Sequence, residues 1–143
     1  MTQRTTATNI DLDWLLDALV DRVAGTRHAI LLTDDGLVMS RSRTVERADA
    51  ERLAAIATGQ QSLARGVGQL FSGGPVHQVI IEMADLWLFV TAAGRGTHLA
   101  VVASQEVDAE LMSIAMHTLI QQVGQKLGTD TRTPHSRDVG GHG

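Results

Sequence analysis

Residues 27–42, RHAILLTDDGLVMSRS, decide the fold of this chain. Two apolar runs, 28–33 and 37–40, flank Asp34-Asp35-Gly36, and an Asp-Gly between strand-like runs is the strongest short-range signal for a β-hairpin. Gly36 supplies the positive φ that such a turn needs, and the Asp before it tolerates the neighbouring position. In the first run Ala29 and Leu31 point to one side while Ile30 and Leu32 point to the other. A strand that is apolar on both faces needs cover on both faces. That cover has to come from helices before and after the hairpin.

Upstream, Leu12, Leu15, Leu16, Leu19 and Val23 recur at three- and four-residue steps, the stripe of an amphipathic helix. Asn9 or Asp11 can cap its start and Gly25 can end it, and Trp14 beside the stripe reads as a partly buried packing residue. Downstream, a helical pattern runs over 48–71 with Leu53, Ile56, Ala57, Ala64, Val67 and Phe71 on one face. Its opposite side carries Ala55, Gly59, Ser62 and Gly66, a line of small side chains. Each helical glycine costs about 1 kcal/mol relative to alanine, so this line calls for a compensating close contact. Two readings are open: a helix–helix homodimer seam, or tight packing on the domain's own sheet.

Ser72-Gly73-Gly74-Pro75 breaks this helix. Three strand patterns follow at 76–83, 86–92 and 98–103, joined by connections too short for a parallel crossover, so they form an antiparallel meander. The first of them, with Gln78 and Glu82 beside Ile80 on one side, suits a sheet edge. A last helix spans 108–127, with Asp108 as cap, a stripe of Met112, Ala115, Met116, Leu119, Ile120, Val123 and Leu127, and Gly128 as its stop. Residues 1–9 and 128–143 read as flexible tails around one domain at 10–127. The order α-β-β-α-β-β-β-α predicts a mixed α/β fold: a three-layer α/β/α sandwich around a five-stranded antiparallel sheet.

Composition narrows the function. A net charge of −4 with a single lysine, Lys126, argues against nucleic acid as partner, since duplex binding needs a basic stripe. The chain has no cysteine, which removes disulfides, thiolate zinc sites and cysteine nucleophiles. No run is apolar enough for direct membrane insertion, and a cytoplasmic protein is expected. The phosphate loop G-x-x-x-x-G-K-[ST] is absent, and Gly94-Arg95-Gly96 and Gly66-Val67-Gly68 open no helix after a parallel strand. His28, His77, His98, His117, His135 and His142 lack metal-ligand spacing, and Asp34-Asp35-Gly36 lacks the later oxygens of a calcium loop. No serine elbow and no distinctive carboxylate pair is present. The expectation is a non-enzymatic chain without cofactor, metal or catalytic residue. Its candidate surfaces are the small-residue flank and the sheet edge.

The segments HAILLTDDGLVMSRS (28–42), ADAERLAAIATGQQSLARGVGQLF (48–71) and GGPVHQVIIEMADLWLFVTAAGRGTHLAVVAS (73–104), in this order, resemble the bacterial roadblock domain, related to dynein light chain proteins. The likeness spans about 10–127 and is greatest to small actinobacterial roadblock proteins encoded with a sensor-kinase-like protein and a Ras-like GTPase. It implies a roadblock-like (profilin-like) fold and a homodimeric regulator or scaffold. Its partners would be the small GTPase and the sensor-kinase-like protein of the same gene cluster, which could recruit it to a membrane complex. It further implies self-association through the helix at 48–71 and the strand at 76–83, joining two sheets into one of ten strands. The candidate homodimer residues are therefore Ala55, Gly59, Ser62, Gly66, Gln78 and Ile80. The alternative from another class is a small-molecule-sensing or general protein-interaction α/β/α domain.

Overall fold

The computed structural model describes the backbone of residues 2–94 and 96–132, and the side chains of 12–94 and 96–126. The elements are α1 (Thr2–Arg22), β1 (Thr26–Thr33), β2 (Val38–Arg41), α2 (Arg47–Leu70), β3 (Gln78–Glu82), β4 (Leu86–Ala92), β5 (Thr97–Ser104) and α3 (Ala109–Arg132). The five strands form one antiparallel sheet in the order β2-β1-β5-β4-β3. β3, β4 and β5 make the expected meander, and β1 closes on β5 in the centre.

Two helix ends differ from the sequence expectation. The backbone of α1 is helical from Thr2, where a tail over 1–9 is expected, because neither Pro nor Gly stands between Thr2 and Asp11 to stop it. α3 continues through Gly128 to Arg132, since one glycine raises the cost of a helix by only about 1 kcal/mol. The rest of the expected C-terminal tail, 133–143, lies outside the described residues, as do Met1 and the side chain of Leu127.

The hairpin turn is wider than a two-residue loop. Gly36 N–H donates to Thr33 C=O at 3.0 Å, and Thr33 N–H donates to Leu37 C=O at 2.9 Å. Gly36 alone takes positive φ, at +87°, and Asp35 does not. Residues 34–36 thus form a three-residue loop ending in a left-handed glycine. An irregularity in the β1–β2 register between Leu31 and Leu32 follows it.

The double-sided strands split the core as their sequence requires. Ala29 and Leu31 of β1 join Phe89, Leu99 and Val101 beneath α1 and α3, where Leu12, Leu16, Met112 and Met116 fill one core. Ile30 and Leu32 join Val90 and Ala100 beneath α2 in the second. The sheet is therefore the middle layer. Asp108 caps α3 as expected, its Oδ1 accepting N–H bonds from Glu110 and Leu111 at 3.1 Å each.

α2 is the element that sequence periodicity misplaces. Its buried residues are Ala50, Ala54, Ala57 and Gln61, not the large side chains of the expected face. Of that face, Ala57 is buried and Leu53 and Ala64 are half-buried, whereas Ile56, Val67 and Phe71 are exposed. Alanines let the helix lie close on the sheet, and the bulky residues are turned to the outside. The helix ends through Ser72 at φ 59° with Gly73 N–H donating to Gly68 C=O at 2.7 Å, the Schellman arrangement.

Candidate functional site

α2 packs over β3 through Val79 and Ile81, so its outward side and the free edge of β3 are two neighbouring candidate surfaces. From Leu53 to Phe71 the only charged residue is Arg65. On the outward side Ile56, Leu63, Val67 and Leu70 make an apolar stripe, and Leu63 is 68% and Phe71 74% exposed. Beside it runs the line of small residues, and Ala55, Gly59, Ser62 and Gly66 are all exposed. A Cβ built on Gly59 or Gly66 meets nothing within 4 Å. Neither glycine packs on the domain's own sheet. Among the described residues, no contact compensates the helix-propensity cost of about 1 kcal/mol that each carries.

β3 supplies an open strand edge. Met83 N–H donates to Leu86 C=O at 2.8 Å and Ala92 N–H to His77 C=O at 3.2 Å. By alternation the backbone groups of Gln78, Ile80 and Glu82 point away from β4. Val79 and Ile81 pack in the core under α2, so the side chains of Gln78 and Ile80 lie on the opposite sheet face. Ile80 is 46% exposed and Gln78 half-buried. What these two bring to the edge is chiefly their backbone.

The structure thus brings Ala55, Gly59, Ser62 and Gly66 to one flank and Gln78 and Ile80 to the adjoining edge. Sequence reasoning missed the large residues of this surface, Ile56, Leu63, Val67, Leu70 and Phe71, and it grouped Ile56, Val67 and Phe71 on one face with Leu53, Ala57 and Ala64, of which Ala57 is buried and the other two half-buried. A signal was present: Ala50, Ala54, Ala57 and Gln61 recur at four- and three-residue steps, so a second stripe competed for the inward side. A helix apolar on both sides needs cover on both sides.

A second apolar area lies between α1 and α3, a groove of about 230 Å³ lined by Trp14, Leu111 and Ile114 among others. Trp14 is 54% exposed, more than the expected packing residue, because it points to the groove rim while Leu12, Leu15 and Leu16 take the core. A cleft of about 570 Å³ lies along β2 beside Asp13, Arg41, Arg47 and Glu51. Its polar groups are engaged with one another or with backbone: Arg41 Nη1 donates to Val45 C=O at 2.6 Å, and Arg47 Nε is 3.5 Å from Glu51 Oε2.

The described histidines form no metal-binding cluster. His98 pairs across β4 with Ala92 and across β1 with Leu32, while His28 lies opposite Val102. His98 Nδ1 is 3.3 Å from Asp34 Oδ1 at the sheet end. Burial pulls the His98 imidazole below its ordinary value, Asp34 opposes that shift and Arg65 adds to it. His28 is likewise lowered, first by burial and then by Arg27, with Asp49 opposing. Among the described residues no group of three or more His, Asp or Glu could hold a metal ion, and no helix is long and apolar enough to cross a membrane.

With the fold and this surface in hand, comparison with known proteins is decisive. The Roadblock/LC7 domain profile matches residues 12–103. The crystal structure of a Roadblock/LC7 domain from Streptomyces avermitilis is 43% identical, with a TM-score of 0.77 over 80% of this chain and 96% of that one. Myxococcus xanthus MglB is 16% identical, with a TM-score of 0.76 over 83% of this chain and 96% of that one. The gliding protein mglB of Thermus thermophilus is 14% identical, with a TM-score of 0.73 over 83% of this chain and 90% of that one. At such identities these last two share the fold alone. No curated protein matches the chain. The chain belongs to the Roadblock/LC7 family.

Proposed function

We propose that this chain is a homodimeric regulator or scaffold that binds a small Ras-like GTPase and modulates its nucleotide cycle or its localisation within a signalling complex. The observation that carries the reading is the uncharged, apolar flank of α2 lying beside the open edge of β3. A contiguous exposed apolar patch on a soluble domain marks an interaction site. Two copies related by a twofold axis would cover it isologously, each glycine line receiving the other's helix and each β3 extending the other's sheet. Family membership supports the GTPase half of the reading. The role is non-enzymatic in itself: the pair presents a surface, and the chemistry of hydrolysis belongs to the partner.

The test is co-purification of the chain with a Ras-like GTPase of its own gene cluster, as the resemblance implies one, loaded with GDP or a GTP analogue, followed by hydrolysis and exchange assays. Binding in at least one nucleotide state with a changed rate or a changed location supports the reading. Absence of binding in both states discards it.

A further inference from the structure

β2 is the sheet's other edge, yet the outward amide of its last residue, Arg41, and that of Arg43 just beyond it are occupied. Ser42 N–H donates to Ala29 C=O at 2.8 Å, so the flanking amides of Arg41 and Arg43 point away from β1. Arg41 N–H donates to Asp13 Oδ1 at 3.2 Å, and Arg43 N–H donates to Asp17 Oδ1 at 2.7 Å. Arg43 Nη2 then donates to Asp21 Oδ1 at 2.7 Å, with Nη1 3.4 Å from Asp17 Oδ1. The spacing explains why a helix can serve a strand in this way. Four helical residues rise ~6 Å, and two strand residues advance ~6.7 Å, so aspartates every fourth residue keep step with amides every second. α1 lies over one face of the sheet, and its aspartate side chains reach down to the β2 edge. At β3 no such cover exists: among the described residues nothing reaches the outward backbone groups of Gln78, Ile80 and Glu82.

We propose that Asp13 and Asp17, with Asp21 holding the Arg43 side chain in place, form an edge guard, an internal contact that closes β2 to strand addition and confines sheet-to-sheet joining to β3. The second half of this statement rests on the homodimer reading given above. The consequence is a stopping rule. An isologous contact at one edge closes at two copies, whereas two open edges on one sheet permit unlimited addition. The occupant that the guard excludes is the β2 edge of another copy, since every copy offers the same unpaired amides once the aspartates are gone.

The experiment compares the wild-type chain, Asp13→Ala/Asp17→Ala and Asp13→Asn/Asp17→Asn by light scattering at equal concentration. Removing the acceptors raises the average mass of the alanine variant about twofold or more above the wild type's, because added strands extend the assembly. The asparagine variant loses the same charge but keeps a carbonyl acceptor at each position, and holds the wild-type mass. An alanine variant that folds and keeps the wild-type mass overturns the proposal, and so does an asparagine variant that assembles like the alanine one. Amide hydrogen exchange reads the guard without depending on the double variant's folding. The Arg41 and Arg43 amides of the wild type are protected about tenfold or more relative to free peptide, and Asp13→Ala frees Arg41 selectively. Exchange of both wild-type amides at free-peptide rates overturns the guard. Every comparison is against the wild type, so the result stands whether that protein is one copy or two.

Discussion

Glycine serves opposite ends at different positions of α2 and α3. A Cβ on Gly68 would sit 2.8 Å from the Gly74 carbonyl oxygen, so the turn at 72–74 folds back on a surface only glycine offers. Gly124 in α3 meets nothing within 4 Å and lies away from the α2 flank. Gly68→Ala should therefore destabilise the fold by about 1–2 kcal/mol through overpacking, while Gly124→Ala should stabilise it by about 1 kcal/mol through helix propensity. Denaturant midpoints of the two variants check the pair; equal shifts would remove the steric account. His98 gives the fold a pH dependence. Its folded-state pKa lies below the ordinary 6.5, so as pH falls through that value the unfolded chain takes up a proton that the folded chain refuses. Stability is then greatest above about 6.5 and declines below it, as linkage requires. His28 acts in the same direction. His98→Asn should flatten the decline in a series of melts between neutral and mildly acidic pH; an unchanged slope would show that the buried imidazole does not couple to folding.

At the scale of elements, the strands were legible and the orientation of one helix was not. Strand side chains alternate strictly, so Ala29 and Leu31 against Ile30 and Leu32 could only mean two cores, and the two cores exist. The Asp-Gly signal placed the hairpin but not its loop length, because the wider three-residue loop uses the same glycine. α2 carries two apolar arcs, and periodicity does not say which of them meets the sheet. Distance decides: the alanine arc of Ala50, Ala54 and Ala57 seats the helix close to the strands, leaving Ile56, Leu63 and Val67 outside. The small-residue line of the candidate site is legible from spacing, whereas periodicity groups Ile56, Val67 and Phe71 with Leu53, Ala57 and Ala64 and gives Leu63 and Leu70 no place. One variant tests the flank as a unit. Gly59→Leu introduces a good helix former where nothing within 4 Å obstructs it, so the protomer keeps its fold while a close helix crossing no longer fits. Sedimentation should show a well-folded monomer with wild-type circular dichroism. An unchanged assembly state in this variant would place the seam elsewhere.

For the molecule as a whole, the sheet sits between two helical layers and its two edges are treated differently. The β2 edge is answered from within by Asp13 and Asp17, and the β3 edge is left bare beside an apolar helix flank. Such asymmetry directs association to one side. None of it was visible in composition: the aspartates at 13, 17 and 21 look like an ordinary solvated helix face until β2 is placed against them. The central claim is that the α2 flank and the β3 edge are buried between two copies of the chain. The most direct measurement is the solution mass of this 143-residue chain by light scattering across a range of concentrations. Twice the 15.3 kDa chain mass, held on dilution, is the predicted result, and a 15.3 kDa monomer at high concentration would contradict it.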